Sequence, residues 1–118
     1  MELTQNKKII LPTRKGFIMC NTNDIVHCKA EGRYTKFFLR DNTEIVVSKN
    51  LKEWEKALDT LHFIRVHDSH LVNELYIHEY LGGNTGELIM NDNTHIPVSR
   101  RRKKAFLDIL KTRQNDHL

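Results

Sequence analysis

The sequence predicts a mostly β fold with one mid-chain helix and one C-terminal helix. Three observations lead there. Short runs rich in β-branched and aromatic residues alternate with Gly, Pro, Asn and Asp through much of the chain, the pattern of an antiparallel meander. Leu51, Trp54, Leu58 and Leu61 recur at helical spacing behind Asn50 and Glu53, which hold the positions of a capping box. Phe106, Ile109 and Leu110 form a second apolar stripe behind Ser99, a good N-cap. A chain of 118 residues is read as a single domain over 1–118, with room for a modest core.

In chain order, Ile9 to Leu11 and Gly16 to Cys20 read as two strands around a turn at Pro12 to Lys15. The Asn21 to Asp24 cluster is a second turn, followed by I-V-H-C-K-A with period-two character. Glu31-Gly32 breaks that run, Arg33 to Arg40 reads as a strand, and Asp41-Asn42 makes a tight hairpin into Thr43 to Val47. After the first helix and the segment Phe63 to Asn73, Leu75 to Leu81 reads as a strand. Gly82-Gly83-Asn84 then turns into Glu87 to Met90, and Asn91 to Asn93 into His95 to Val98.

The segment F-I-R-V-H-D-S-H-L-V-N, Phe63 to Asn73, departs from a plain core strand. With a period of two, Ile64, Val66 and Val72 share one face, and an unbroken strand would bury Asp68 and His70 beside them. A corner near His67 to His70 removes that conflict. Its polar groups have two readings: contact residues presented by a rigid scaffold, or a hydrogen-bond network that fixes the corner. The second suits His67, Ser69 and Asn73; for Arg65 and Asp68 both stay open.

Composition excludes several classes. The hydrophobic fraction is 39% with no long apolar run, so no membrane span is expected, and M-E-L-T-Q-N-K-K lacks a signal-peptide core. Cys20 and Cys28 match no zinc or redox spacing and read as reduced core residues of a cytoplasmic protein. His62, His67 and His70 share no helical metal-binding spacing, and no nucleophile motif or Gly-rich phosphate loop accompanies them. The chain is therefore not expected to be an enzyme or to carry a metal or cofactor.

The formal charge is +4, and its placement matters more than its size. Residues 99–113, S-R-R-R-K-K-A-F-L-D-I-L-K-T-R, hold seven basic side chains and one acidic. The remainder holds twelve basic against fourteen acidic. Such localisation points to a polyanionic partner. Arg100, Arg101, Arg102, Lys103 and Lys104 also occupy the first turns of the predicted helix, where the dipole favours acids. A solvated charge run is the bland alternative. Cations at the unfavourable end, beside free backbone N–H groups, instead argue for an anion contact.

Three blocks carry a family resemblance: K-A-E-G-R-Y-T-K at 29–36, F-I-R-V-H-D-S-H-L-V-N at 63–73 and H-I-P-V-S-R-R-R-K-K at 95–104. With the order of meander, helix and hairpins, they make the chain resemble the LytTR domain, a DNA-binding output module common in bacterial response regulators of two-component systems. The central block is the most specific, with Phe63, Arg65, His67, Ser69, Val72 and Asn73 at the family's positions. The similarity covers roughly residues 8–111, leaving short flexible tails.

The resemblance implies an elongated sandwich of short antiparallel sheets. It further implies a bacterial transcriptional regulator that reads specific double-stranded DNA with loops and a basic helix start set in successive major grooves. Two protomers, monomeric or weakly dimeric in solution, would pair on direct repeats. Carried onto this chain, the contacts are Arg33 and Tyr34 in the first loop, Arg65, His67, Asp68 and Ser69 at the corner, and Ser99, Arg100, Arg101, Arg102 and Lys103 at the helix start. Arg100 is the foremost base reader, with Arg101 and Arg102 supporting on phosphate.

At 68 the family usually has a basic or amide residue, and this chain has Asp68. It accepts from cytosine N4, orients a neighbouring arginine, or weakens DNA affinity; the sequence leaves these open. Arg33 stands where asparagine is frequent in the family. No receiver domain fits in this length, which implies a stand-alone regulator or an excised output domain. The rival class is an interaction module that regulates a protein partner or binds RNA, the latter favoured by stacking on an exposed Tyr34 or Phe37.

Overall fold

The computed structural model describes residues 7–59, 62–84 and 86–114. Strands β1 (Lys8–Thr13) and β2 (Gly16–Asn21) form a two-stranded ribbon. Strands β3 (Ile25–Glu31), β4 (Tyr34–Leu39), β5 (Glu44–Val47), β6 (Phe63–His67) and β7 (His70–Asn73) form a central sheet in the order β5-β4-β3-β7-β6. Strands β8 (Ile77–Leu81), β9 (Glu87–Met90) and β10 (His95–Pro97) make the third sheet, with β9 in the middle. The helices are α1 (Leu51–Ala57) and α2 (Arg100–Gln114). Every strand pairing is antiparallel.

Alternation in the central sheet supplies two cores. One face sends Ile25, Cys28, Phe37, Ile45, Val47, Phe63 and Leu71 against the ribbon and α1. The opposite face sends Val26, Ile64, Val66 and Val72 against Leu88, Met90, Ile96, Val98 and Phe106 of the third sheet and α2. The result is a sandwich with principal extents of 44 × 37 × 24 Å. Ile64, Val66 and Val72 share a face as the period-two pattern requires, because the chain reverses at Asp68-Ser69 between β6 and β7.

Helix α1 has both capping-box bonds: Glu53 N donates to Asn50 Oδ1 and Asn50 N to Glu53 Oε2, each at 3.0 Å. A cap contributes about 1 kcal/mol, too little to hold seven residues in water. Burial of Leu51, Trp54 and Leu58 does the rest. The Trp54 ring meets Phe37 edge-on at 5.0 Å, and its Nε1 donates to Ser48 O at 3.3 Å.

Four local expectations change. The first hairpin turns on Arg14 and Lys15 alone, with Pro12 inside β1 opposite Phe17. Arg33 lies in a two-residue turn with Gly32, and β4 starts at Tyr34. The strand expected over Leu75 to Leu81 begins at Ile77, because Asn73 Oδ1 accepts from Leu75 N at 3.0 Å and draws Glu74–Tyr76 into a capped 3-10 turn. The last strand stops at Pro97, one residue short. Leu61 and the chain tails at 1–6 and 115–118 lie outside the described residues. Cys20 and Cys28 are buried free thiols, as expected of core residues. Among the described residues no helix is long and apolar enough to cross a membrane.

Candidate nucleic-acid interface

The three predicted contact regions meet at one end of the central sheet. Lys29 of β3 lies opposite His70 of β7, and Ala30 N donates to Ser69 O at 2.9 Å. The β3–β4 turn and the β6–β7 turn therefore leave the same end of the sheet. Ser99 N donates to Val66 O at 2.9 Å, which brings the start of α2 beside the end of β6.

Within the β6–β7 turn, Arg65 acts as the internal tie. Its Nε donates to His67 O at 2.9 Å and its Nη2 to Asp68 O at 2.6 Å. Its Nη1 reaches Glu55 Oε1 of α1 at 2.6 Å. The Arg65 side chain is only 11% exposed, so the guanidinium is committed to the turn and to α1. His67 Nδ1 accepts from Ser69 N at 3.0 Å, which leaves its Nε2 edge as the remaining polar group. Asn73 is fully internal, donating from Nδ2 to Ile25 O at 2.9 Å. The hydrogen-bond-network reading thus describes Asn73, His67 and the backbone of Ser69, and it extends to Arg65.

Asp68 projects from the tip of that turn toward α2. Arg101 Nη2 donates to its Oδ1 at 2.6 Å, and Arg102 Nε lies 3.5 Å from the same oxygen. The Arg101 guanidinium beside it holds the Asp68 carboxyl below the usual carboxylate range. Asp68 supplies part of the negative charge that the first turn of α2 lacks in its own sequence. Ser99 caps the helix by accepting at Oγ from Arg102 N at 3.3 Å. Lys103 Nζ donates to Gly83 O in the β8–β9 loop at 3.4 Å. Arg100 is exposed, and no hydrogen bond or ion pair engages its side chain among the described residues. The far end of α2 is tied differently, by an ion pair between Arg113 and Glu74.

The β3–β4 turn presents the remaining candidates. Gly32 takes a φ of +60°, a left-handed conformation that glycine adopts without steric cost. It places the exposed Arg33 at the turn tip. Tyr34 is 43% exposed and shares a shallow depression with Arg14, Val46 and Ser48. Phe37, weighed with Tyr34 as a stacking surface, is fully buried against Trp54.

Beneath the turns lie histidines kept neutral by burial. Burial pushes His27 down to about 4, and its ring stacks on Phe38 at 4.2 Å. His70 is likewise lowered to about 4, chiefly by burial and then by His67, whose ring lies 5.4 Å away. Among the described residues no group of three or more His, Cys, Asp or Glu side chains is arranged to hold a metal.

One residue bearing on this end is missing from the sequence reading. Glu55, which anchors Arg65, lies ten residues away on the outer side of a helix, and no local pattern marks it. Lys111, already counted in the basic segment 99–113, continues the basic side of α2 at helical spacing from Arg100 and Lys104.

A family model for the LytTr DNA-binding domain matches residues 15–111. The chain belongs to the LytTR family. This LytTR domain is 34% identical over 105 residues to the sensory transduction protein LytT of Bacillus subtilis, covering 87% of the chain and 43% of that protein. It is 31% identical over 106 residues to the heme-containing CO-sensing transcriptional regulator RcoM 1 of Paraburkholderia xenovorans, covering 87% and 39%. The LytTr DNA-binding domain of a Bacillus cereus protein described as a methyl-accepting/DNA response regulator superposes with a TM-score of 0.76 at 25% identity, covering 87% of this chain and 95% of that one. The mostly β sandwich is therefore the LytTR fold, and DNA is the partner class of the family. The chain spans 43% and 39% of the length of LytT and RcoM 1 respectively.

Proposed function

We propose that this LytTR domain reads specific double-stranded DNA as the output module of a bacterial transcriptional regulator, working in the cytoplasm and without catalysis of its own. The observation that carries this reading is the junction of the Asp68-Ser69 turn with the Ser99–Arg102 start of α2, where Arg100 stands free beside an arginine pair held by Asp68. Arg100 reaches base edges in a major groove; a bidentate arginine–guanine contact supplies about 1–3 kcal/mol of discrimination. Arg101 and Arg102 approach phosphate, and Lys103 supports them from the loop side. Ser99 fixes where the helix begins. Arg33 and Tyr34 approach a neighbouring segment from the second turn. Arg65, His67 and Ser69 hold the shape of the reading turn, and Asp68 orients Arg101.

Two protomers sit on paired direct repeats, as a monomer or weak dimer in solution that pairs on DNA. Selection from random duplexes tests this. Enrichment of a repeated motif with centres about one helical turn apart, about 10–10.5 base pairs, and affinity falling steeply with salt are expected. A pool that stays unenriched, with binding indifferent to salt, refutes the reading.

A further inference from the structure

From Arg100 a basic stripe runs on along α2 through Lys104 and Lys111, two residues that the base-reading role does not use. At 3.6 residues per turn, Arg100, Lys104 and Lys111 fall within about 40° of one another around the axis, over a length of about 16 Å. All three are exposed, the Lys104 side chain at 89%. They line one shallow groove with Lys103, Leu107 and Asp108. Arg101 and Arg102 point to the other side, toward Asp68. The apolar residues Phe106, Ile109 and Leu110 face the core. The stripe is therefore neither helix packing nor the arginine pair at the turn.

We infer that this face of α2 is a second DNA contact, which follows the phosphate backbone flanking the bases read by Arg100. The inference rests on the DNA-reading role proposed above. Two features favour duplex DNA as the occupant. The stripe is continuous with the candidate interface through Arg100, so DNA held there already lies alongside it. Its spacing also suits a rod of regularly repeated anions, whose phosphates advance about 3.4 Å along the axis per nucleotide on each strand. The groove's acid, Asp108, is held by Lys104 at 3.1 Å. An exposed pair one helical turn apart is weak, so phosphate can take Lys104 from it. Asp108 then remains as a repulsive charge that limits how tightly the backbone is held.

The test uses the full chain, the selected DNA site in long-flanked and trimmed forms, and three proteins: wild type, the Lys104→Gln/Lys111→Gln double variant, and Asp108→Asn. Both lysines are solvent-facing, so the double variant keeps the wild-type unfolding midpoint. Wild type is expected to lose affinity when the flank is trimmed. The double variant should respond little to trimming, keep the same sequence preference, and show a salt slope shallower by about 1.8 for two lost phosphate contacts. Between about 50 and about 200 mM salt, its fall in affinity shrinks about tenfold relative to wild type. Asp108→Asn should gain affinity on the long duplex only, a gain that structural damage does not produce. An unchanged slope and an unchanged trimming response in the double variant, with wild type still sequence-selective, overturn the α2 contact and leave the base-reading role standing. Absence of sequence selectivity in wild type itself overturns both.

Discussion

Arg65 and Arg100 lie in two of the blocks that carry the family resemblance, yet they occupy opposite physical situations. Arg65 is 11% exposed and directs all three nitrogen groups inward, to His67 O, Asp68 O and the Glu55 carboxylate. Arg100 stands exposed at the start of α2 with no partner among the described residues. A guanidinium already satisfied inside the fold shapes the surface, whereas one left free has its donors open to a ligand. Arg101 lies between the extremes: 68% exposed but held by Asp68 at 2.6 Å. The difference separates a residue that builds the turn from the one proposed to read DNA.

The largest effect that would break this contrast concerns Arg65. Arg65→Ala removes the donor to the half-exposed Glu55 carboxylate and to two carbonyls and should cost about 1–3 kcal/mol of stability, read from the urea midpoint. An Arg65→Ala protein of wild-type stability that has lost sequence preference would make Arg65 a reader after all.

Next comes acid. His27 is 3% exposed, and burial lowers it from 6.5 to about 4. The folded state then binds fewer protons than the unfolded chain below the ordinary histidine value. Stability is complete above about pH 6.5 and falls as pH drops toward about 4, by roughly 2 kcal/mol at about pH 5 from this group. His70 adds in the same direction. Urea midpoints measured from neutral pH downward should show this loss, and His27→Phe should flatten the curve. A wild-type curve level across that range contradicts the neutral buried ring. Asp68 adds nothing there: its lowered value keeps it charged, and its pair is lost only below the usual carboxylate range.

Gly32→Ala should cost about 1 kcal/mol, because the φ of +60° is strained for alanine although a Cβ meets nothing within 4 Å. Thermal unfolding reads this loss, and DNA affinity should fall with it if the Arg33 turn touches DNA. The smallest effect is that of Asp68→Asn, which frees Arg101 and Arg102 while leaving Arg100 alone. Binding to unrelated duplex should rise a fewfold and discrimination should narrow. Weaker binding to every duplex would instead make Asp68 a direct contact or a structural group.

Much of the scaffold was legible because its signals are local. Asn50 and Glu53 stand three apart and make both capping bonds, and the Asp68-Ser69 corner followed from the cost of burying Asp68 in an unbroken strand. Leu75 misled because its apolar side chain sits beside Asn73, whose cap outcompetes strand pairing and leaves Leu75 52% exposed. The partners of the arginines were not legible. Alternation fixes where a Cβ points but not where a long guanidinium ends, and Arg65 finds Glu55 ten residues earlier on α1. Asp68 finds Arg101 across 33 residues, a partnership that exists only once β6 and α2 have packed.

The most direct measurement is the ratio of affinities for the selected site and a scrambled duplex, at one salt concentration, for wild type and Arg100→Ala. Base reading by Arg100 predicts an unchanged unfolding midpoint and a loss of about 1–3 kcal/mol in discrimination, with binding to the scrambled duplex only slightly weakened. An Arg100→Ala protein with the wild-type ratio would contradict it and move base reading away from the start of α2.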